Sequence, residues 1–309
     1  MNTQANLRLA PTKNDQSPTD AIPSLAQEIR AHFVERVRVT PIEHSPFPHM
    51  VIESALPDHV YRRILENAEK SEMMAESFGD PTWTEKLRFK TYFQSRFQTH
   101  LAKRAENPED DQTLWAAMDA VFSDATFLAG ILDIALPNYL SIRFGDARFS
   151  EGFWERFKFE AFTQRHEPGY RLEAHTDIPT RVATMIFSFA QNADFEDAGT
   201  ALLRPKDPLQ VCSGNLHHPM DGFTTVKIAP YRPNTALLFF KTRHSWHSVS
   251  PDAHLAPNGR YGMQVQFYEP DGGVLQDLSE PDLLRNKQFK SPSITTRIRW
   301  KLEKLFGRG

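Results

Sequence analysis

The hydrophobic positions in the first half of the chain follow the spacing of an α-helix. Leu25, Ile29 and Phe33 recur every four residues, and this pattern stops before a proline-rich stretch at residues 41–48. The short run His49–Glu53 that follows predicts a strand. The folded part of the chain is therefore expected to begin with a helix and a strand.

Two further segments of the first half predict helix. Pro57 and Asp58 open one of them, because a proline and an acidic residue both suit the first turn of a helix. Residues 108–135 form the other, which begins with a run of acidic side chains. Residues 21–154 are therefore expected to provide a mostly helical support.

The pattern changes near residue 155 to short apolar or alternating runs that stand between turn-forming residues. Such runs predict the strands of an antiparallel sheet or barrel. They are Phe157–Phe162, Arg181–Ala190, Ala201–Leu203, Thr235–Lys241 and Arg260–Tyr268. The predicted fold class is α+β with a mainly β core at about residues 155–270, a barrel or sandwich backed by the N-terminal helices.

The ends of the chain differ from its body. Residues 1–20 are polar and lack the apolar segment of a secretory signal, so they predict a disordered lead. No internal repeat, low-complexity linker or run of eighteen apolar residues interrupts the remainder. We expect residues 21–284 to form one domain.

Charge is unevenly distributed over the 309 residues. The net charge of −3 combines −10 over residues 1–284 with +7 over residues 285–309. An acidic body argues against nucleic-acid binding, because affinity for phosphate backbones comes mostly from Lys and Arg.

The basic segment at residues 285–309 predicts an amphipathic helix. Its apolar residues recur at helical spacing and are Ile294, Ile298, Leu302, Leu305 and Phe306. A basic amphipathic helix predicts either weak contact with a membrane surface or docking, on the acidic body of the same chain or on the second subunit of a homodimer.

Composition limits the available chemistry. The single cysteine, Cys212, excludes an internal disulfide and a thiolate metal cluster, and it predicts a reducing, cytoplasmic location. The motifs G-x-G-x-x-G, G-x-x-x-x-G-K-[ST] and G-x-S-x-G are absent, so phosphate-binding loops and nucleophile elbows are not expected. Metal chemistry has to use histidine and carboxylate ligands.

One group of residues has the composition of such a metal site. His175 and Asp177 stand just before a predicted strand, and residues two apart on an extended backbone project to the same face. His247 follows a strand about seventy residues later, and Arg260 opens the last strand thirteen residues after it. Two histidines and one carboxylate leave open positions on a metal, which suits non-haem Fe(II). A nearby arginine offers a planar partner for an acid cosubstrate.

This set of residues resembles the Fe(II)/2-oxoglutarate-dependent dioxygenases, specifically the prolyl-4-hydroxylase-like branch of the double-stranded β-helix superfamily. The resemblance covers roughly residues 160–270 and, more weakly, Pro46–Leu65. It implies a jelly-roll, cupin-like barrel in which His175, Asp177 and His247 are the catalytic iron ligands.

The resemblance also implies the cofactors and the reaction. Fe(II), O2 and the cosubstrate 2-oxoglutarate would bind, with ascorbate as a stimulant, and decarboxylation of 2-oxoglutarate would drive C–H hydroxylation or a related oxidation. Arg260 matches the basic residue that pairs with the far carboxylate of the cosubstrate. His166 replaces a common tyrosine that faces the site, and Thr184 or a water would replace another at the position of Ser188. Asp177 argues against a halogenating enzyme, because those relatives lack the carboxylate ligand.

Several histidines near these ligands have alternative roles. His244 competes with His247 as the distal ligand, but the Ser-Trp-His match and the distance to Arg260 favour His247. His244 is then expected to line the pocket or to form a hydrogen bond at its turn. The pair His217-His218 predicts a loop role, because adjacent side chains point apart.

The substrate contacts are less sharply defined. Gln264 and Gln266 share a strand face with Arg260 and are either ligand contacts or interior amides. Arg181 and His244 complete the predicted substrate-binding set. The expected substrate is a small organic molecule, in the biosynthesis of a secondary metabolite or a surface glycan. The alternatives are prolyl-type hydroxylation of a protein or peptide, and a jelly-roll module that binds a ligand without turnover.

Overall fold

A computed structural model describes most of the chain between its two terminal segments. The described residues are 18–71, 96–149, 151–166, 170, 172–212, 214, 216–250 and 259–269. The predicted lead overlaps them only at residues 18–20, where the first helix has already begun, and the predicted tail helix at residues 285–309 lies outside them. The membrane-surface and homodimer contacts of that tail therefore stay predictions.

The described residues contain six α-helices. Their bounds are Pro18–Val39 (α1), Asp58–Ser71 (α2), Leu101–Glu106 (α3), Gln112–Phe122 (α4), Ala125–Ala135 (α5) and Tyr139–Phe144 (α6). The predicted helix at residues 108–135 is divided because Asp111 and Asp124 each cap a new helix, accepting hydrogen bonds from the backbone N–H groups of Leu114 and Phe127. Across the described ranges, no helix combines the length and the apolar character needed to span a membrane.

The described residues also form nine β-strands. They are His49–Glu53 (β1), Arg96–His100 (β2), Lys158–His166 (β3), Arg181–Phe189 (β4), Thr200–Pro205 (β5), Phe223–Ala229 (β6), Pro233–Phe240 (β7), His247–Val249 (β8) and Arg260–Tyr268 (β9). Each predicted strand is confirmed, and β1 and β9 have the predicted bounds. The strands β2, β6 and β8 are not predicted from the sequence.

The strands form two antiparallel sheets. The larger sheet has the order β1-β7-β4-β9-β3-β2, and the smaller one has the order β6-β5-β8. The predicted combination of helices with antiparallel sheet is therefore confirmed. Both sheets contribute residues to one cavity, which lies between them.

Alternate residues of the larger sheet face different surroundings. On β9, Met263 and Val265 belong to the main hydrophobic core, whereas Gln264 and Gln266 line the cavity. This follows from the two-residue period of a strand, which sends successive side chains to opposite faces. One face of the sheet therefore packs in the hydrophobic core, and the other face lines the cavity.

Helix α1 packs on the core face of the larger sheet. Its periodic residues Leu25, Ile29 and Phe33 are buried. The ring of Phe33 lies 5.6 Å from that of Phe122 in α4 and 5.7 Å from that of Phe187 in β4. Burial of one such side chain is worth about 1.5–3 kcal/mol. The helices thus stabilise the sheet from behind, without entering the cavity.

Candidate metal centre

Three side chains converge at the start of β8. The ligand atoms of His175, Asp177 and His247 all lie within 4.8 Å of one another. The backbone N–H of His175 donates to the carbonyl oxygen of His247 at 3.0 Å, and the N–H of His247 donates back at 2.9 Å. Residues about seventy positions apart are therefore direct cross-strand neighbours, and the cluster contains His247 rather than its rival His244.

Backbone carbonyls determine which nitrogen of each histidine faces the cluster. Nδ1 of His175 lies 2.9 Å from the carbonyl oxygen of Glu173, and Nδ1 of His247 lies 3.0 Å from that of Ser245. Because a carbonyl oxygen only accepts, each Nδ1 carries the proton and donates it. Each Nε2 therefore has the free lone pair with which a neutral imidazole binds a metal.

A hydroxyl and a guanidinium orient the carboxylate of Asp177. The Thr184 hydroxyl donates to Oδ2 of Asp177 at 2.6 Å. Nη1 of Arg181 lies 3.7 Å from the same oxygen and donates to the Thr184 hydroxyl at 3.0 Å. The second carboxylate oxygen, Oδ1, lies 4.0 Å from Nε2 of His247. With Oδ2 held in this way, Oδ1 is the oxygen presented to the cluster.

Burial and charge set the protonation states of the three residues. Desolvation lowers the pKa of His175 well below its ordinary value and also lowers the pKa of His247. Burial by itself would raise the pKa of Asp177, but Arg181, the two histidines and the Thr184 hydroxyl hold it below its ordinary value. The cluster therefore presents two neutral imidazoles and one carboxylate at neutral pH, which is the state that binds metals.

This donor set fits a divalent transition metal. Three lone pairs converge within 4.8 Å, and the protons of both histidines point away from them toward backbone carbonyls. Such an arrangement favours a cation at the centre of the cluster. Two imidazole nitrogens and one carboxylate oxygen are the ligands of non-haem Fe(II) sites, in which the remaining positions stay open.

We expect Thr184→Val to weaken metal binding by about 10- to 100-fold, the usual effect of losing a hydrogen bond to a ligand. Valine keeps the shape of threonine but cannot donate to Oδ2 of Asp177. Calorimetric titration of the full chain with Ni(II) measures the effect. Thr225→Val, at an exposed position of β6, is the matched control. Equal affinities of the two variants would show that the hydroxyl does not position the carboxylate.

A cavity of about 470 Å³ lies beside the cluster, between the two sheets. The three cluster residues line it, together with residues of both sheets. Its volume is within the range of about 300–1,000 Å³ that is typical of small-ligand sites. Two arginines line the cavity, one near each end of β9. Arg260 is the first residue of β9, and Arg181 of β4 lies opposite Tyr268 at the other end.

Arg260 is held rigidly at its end of the cavity. Its Nη1 donates to the carbonyl oxygens of Ala198 at 2.7 Å and Gly199 at 3.0 Å. Its Nη2 donates to Nδ1 of His166 at 2.8 Å, and the His166 ring stacks on Tyr170 with centroids 4.1 Å apart. Two of the three residues predicted to contact the cosubstrate, Arg260 and His166, are therefore paired with each other at the cavity wall.

Arg181 forms the other end of the cavity, next to Asp177. Its Nη2 donates to Oε1 of Gln266 and to the hydroxyl of Tyr268, both at 2.9 Å, and its guanidinium lies 4.4 Å from the centre of the Tyr268 ring. Gln264 also lines the cavity. The structure thus brings three of the four predicted substrate contacts, Arg181, Gln264 and Gln266, to the cavity wall.

Two predicted contacts lie elsewhere. Thr184 does not line the cavity, because its hydroxyl is engaged by Asp177 and Arg181, and Ser188 of the same strand lines it instead. The predicted cosubstrate role of Thr184 stays a prediction, while the structure shows its hydroxyl in contact with Asp177 and Arg181. His244 also lies outside the cavity lining, in the turn before β8, where its backbone N–H donates to the Thr242 hydroxyl at 3.1 Å. This position agrees with the alternative role of His244 at its turn, and its predicted substrate contact stays a prediction.

His217 is a cavity residue that the sequence analysis missed. Its ring stacks on the His175 ring with centroids 4.8 Å apart and 7° between the planes. The neighbouring His218 is half-buried, its ring lies 5.2 Å from that of Trp246, and its backbone N–H donates to the carbonyl oxygen of Ala174. Adjacent side chains on an extended backbone point apart, so the pattern implies that one of the two histidines lines the cavity without deciding which.

Four tyrosines of the cavity wall were also missed. They are Tyr170, Tyr231, Tyr261 and Tyr268. A local pattern could have found Tyr268, since the two-residue period of β9 places it on the same face as Gln264 and Gln266. The others reach the cavity through tertiary packing.

Gly214 lets the chain pass close to the backbone of Asp177. It has a φ of +112°, and a Cβ at this position would meet the carbonyl oxygen of Asp177 at 2.1 Å. Any other residue would therefore have a strained backbone conformation here, and its side chain would collide with the backbone of Asp177. The glycine keeps this loop against the backbone of Asp177.

Comparison with known proteins finds distant structural likenesses only. No protein-family model and no curated protein matches the chain. Among solved structures it is similar to a prolyl-4-hydroxylase from Pseudomonas putida, with 13% identity, 78% of this chain and 99% of that chain covered, and a TM-score of 0.38. HygX from Streptomyces hygroscopicus, solved with nickel and 2-oxoglutarate bound, has 12% identity and a TM-score of 0.39, and the match covers 74% of this chain and 85% of HygX. A 2OG-Fe(II) oxygenase-family oxidoreductase from Burkholderia pseudomallei has 10% identity and a TM-score of 0.36, and the match covers 86% of this chain and 96% of that chain. The function is therefore inferred from the geometry of the site.

Proposed function

We propose that the chain is an Fe(II)- and 2-oxoglutarate-dependent dioxygenase that hydroxylates a C–H bond of a small organic molecule. The observation that supports this most strongly is the convergence of His175, Asp177 and His247 at a cavity that also holds Arg260. In this proposal the two antiparallel sheets are the halves of a double-stranded β-helix, and residues 21–284 form one catalytic domain.

Nε2 of His175, Nε2 of His247 and Oδ1 of Asp177 would hold the iron. When bound, Fe(II) supplies the oxidising chemistry, using O2 and the electrons released as 2-oxoglutarate loses CO2 and becomes succinate. The chain contributes the orientation of these ligands. Backbone carbonyls hold both imidazoles, and the Thr184 hydroxyl holds the carboxylate.

The cosubstrate is proposed to extend toward Arg260. A guanidinium held by two backbone carbonyls and His166 presents a positive charge in a fixed direction, and arginine–carboxylate pairs form strong charge-assisted hydrogen bonds. Tyr170 stands at the same end, is 3% exposed, and its hydroxyl has no hydrogen-bond partner within the described part of the chain. An unpaired buried hydroxyl favours a polar ligand at this position.

The wall of the cavity also contains apolar side chains. Apolar side chains of the larger sheet, including Ile186 and Leu237, share its wall with the polar residues. An apolar wall excludes water and strengthens the electrostatic contacts inside the cavity. The volume of about 470 Å³ supports a small-molecule substrate in preference to a protein or peptide.

Arg260→Gln is expected to raise the dissociation constant of 2-oxoglutarate by about 10- to 150-fold, the loss of one charge-assisted hydrogen bond. Anaerobic titration of the Fe(II)-loaded chain with 2-oxoglutarate measures this, and succinate released after air is admitted measures turnover. Arg204→Gln, at an exposed position of β5, is the matched control and should bind like the parent chain.

Two results of this experiment would redirect the proposal. An Arg260→Gln variant that binds 2-oxoglutarate as tightly as the parent would remove Arg260 from the cosubstrate site. A parent chain that binds Fe(II) and 2-oxoglutarate but forms no succinate in air, alone or with a metabolite mixture, would be a ligand-binding module without turnover.

A further inference from the structure

The cavity has a second cationic end, at Arg181. Arg181 opens β4 opposite Tyr268, and its guanidinium contacts Gln266 and Tyr268. These residues lie six and eight positions along β9 from Arg260. Six residues of extended strand span about 20 Å, which is far longer than a five-carbon diacid. His166 holds the guanidinium of Arg260 at one end of this span and Gln266 holds that of Arg181 at the other, so one molecule of 2-oxoglutarate is not expected to contact both arginines.

When a divalent metal and 2-oxoglutarate are bound, the positive charge of Arg181 has too little negative charge near it. Of the described residues that line the cavity, Arg181 and Arg260 are the Lys/Arg side chains and Asp177 is the carboxylate. Asp177 is the countercharge of Arg181, at 3.7 Å. A divalent metal on Asp177 shares that negative charge, and Arg260 takes the far carboxylate of 2-oxoglutarate. With neutral histidines, the loaded cavity keeps one formal positive charge.

The remaining countercharge near Arg181 is weak. Glu160 accepts a hydrogen bond from the Tyr268 hydroxyl at 2.9 Å, but it is exposed, and water screens its charge. The Arg181 side chain, by contrast, is 6% exposed. A buried cation beside a bound metal is costly unless an anion joins it.

Arg181 also has a hydrogen-bond donor left over. Its Nη1 donates to Thr184, and its Nη2 donates to Gln266 and Tyr268. Its Nε is buried and has no hydrogen-bond partner within the described ranges. Buried donors in native proteins are nearly always paired, so this one indicates a ligand acceptor. The other contacts hold the guanidinium still, which lowers the entropic cost of binding that ligand.

We propose that the substrate is a small organic acid whose carboxylate binds to Arg181, which brings its neighbouring C–H bonds next to the cluster of His175, Asp177 and His247. This inference rests on the proposed oxygenase function. In the reaction, one oxygen atom of O2 enters the substrate C–H bond to form an alcohol. The other enters succinate as 2-oxoglutarate loses CO2, so the two electron pairs that reduce O2 come from the substrate and the cosubstrate.

Equilibrium binding tests the proposal without turnover. The full chain is loaded with Ni(II) and 2-oxoglutarate, and its melting temperature is followed during titration with acetate, butanoate and benzoate and, in parallel, with acetamide, butanamide and benzamide. Each acid has nearly the shape of its amide but carries the negative charge. We expect at least one acid to bind at least about 10-fold more tightly than its amide, since a charge-assisted hydrogen bond to a buried arginine is worth that much.

Three variants connect this preference to Arg181. Arg181→Gln should abolish the preference for acid over amide, whereas the exposed Arg204→Gln should keep it. Arg181→Lys keeps the charge but loses Nε and the two-pronged guanidinium, and it should reduce the preference for acid over amide. If Arg181→Gln does not fold, Arg181→Lys replaces it in this test. Thr184→Val distinguishes the positioning of the Asp177 carboxylate from the binding of the acid. It should weaken Ni(II) binding yet keep the preference for acid over amide at saturating Ni(II).

Other outcomes overturn the inference. If the loaded chain shows no preference for acid over amide in any pair, Arg181 is not an acid-binding residue. The same conclusion follows if the preference survives both Arg181 variants, or if the acids bind only by displacing 2-oxoglutarate. A chain that binds neither Ni(II) nor 2-oxoglutarate would overturn the proposed function itself, and with it this inference.

Discussion

His175→Ala or Asp177→Ala is expected to lower the affinity for Fe(II) by more than about 100-fold and to abolish succinate formation, because losing a ligand costs more than the 10- to 100-fold loss seen when a supporting hydrogen bond is removed. Each residue supplies one of the three converging ligand atoms. Anaerobic titration with Fe(II) measures the affinity, and succinate formation in air measures turnover.

His244→Ala is the matched control for this experiment. His244 is three residues from His247 but stands in the preceding turn, outside the ligand cluster and the cavity lining. It should therefore bind Fe(II) as the parent chain does. A His175→Ala variant that still forms succinate at the parental rate, or a His244→Ala variant that loses the metal, would show that the cluster is assigned to the wrong residues.

Glu269→Gln is expected to lower the free energy of unfolding by about 3–5 kcal/mol, the usual cost of removing one partner of a buried ion pair. Oε1 of Glu269 accepts from Nε of Arg143 at 2.5 Å, and both side chains are almost completely buried. Glutamine keeps the shape but removes the charge, so the Arg143 guanidinium is left buried without its anion. Urea unfolding of the full chain measures the loss.

The same ion pair supports the candidate site from behind. Nη2 of Arg143 donates to the backbone carbonyl of Arg181, and its Nη1 donates to the hydroxyl of Tyr139, which itself donates to the Val182 carbonyl. Helix α6 is thereby tied to the first residues of β4. We expect the destabilised Glu269→Gln variant to bind Ni(II) less tightly as well, since Arg181 positions the carboxylate of Asp177 through Thr184.

Two comparisons separate buried charge from general damage. Arg232→Gln breaks the exposed ion pair with Glu196 and should leave the urea midpoint nearly unchanged. The double replacement Arg143→Met with Glu269→Met removes both charges and should recover part of the stability lost in Glu269→Gln. A double variant as unstable as the single one, or an equal loss in Arg232→Gln, would show that the buried pair is not the cause.

Much of the fold follows from local pattern. The helix periodicity of Leu25, Ile29 and Phe33 predicts α1, and the runs at His49–Glu53 and Arg260–Tyr268 predict strands with their observed bounds. These segments bury one whole face, so their hydrophobic period is strong. The strand β6 was missed because three of its seven residues are exposed, and β8 because it has only three residues.

The grouping of His175, Asp177 and His247 also follows from the sequence, whereas the contacts that hold these side chains in place do not. The spacing of His175 and Asp177 on an extended segment already places both side chains on one face. Thr184 and Arg181 were assigned to cosubstrate and substrate because a strand pattern shows only that they are near the site. Their hydrogen bonds to each other and to Asp177 depend on how the start of β4 lies against the ligand segment.

The sequence by itself determined the helical support and the principal strands, since these depend on residue types at short, regular spacing. It also pointed to the residues of the His-Asp-His cluster and to the arginine that opens the last strand. Only the tertiary structure decided which of two adjacent histidines faces the cavity, which tyrosines line it, and that Arg181 and Arg260 stand at opposite ends. Those features depend on strand register and on the packing of two sheets across a cavity, and both are set by contacts between residues far apart in the chain.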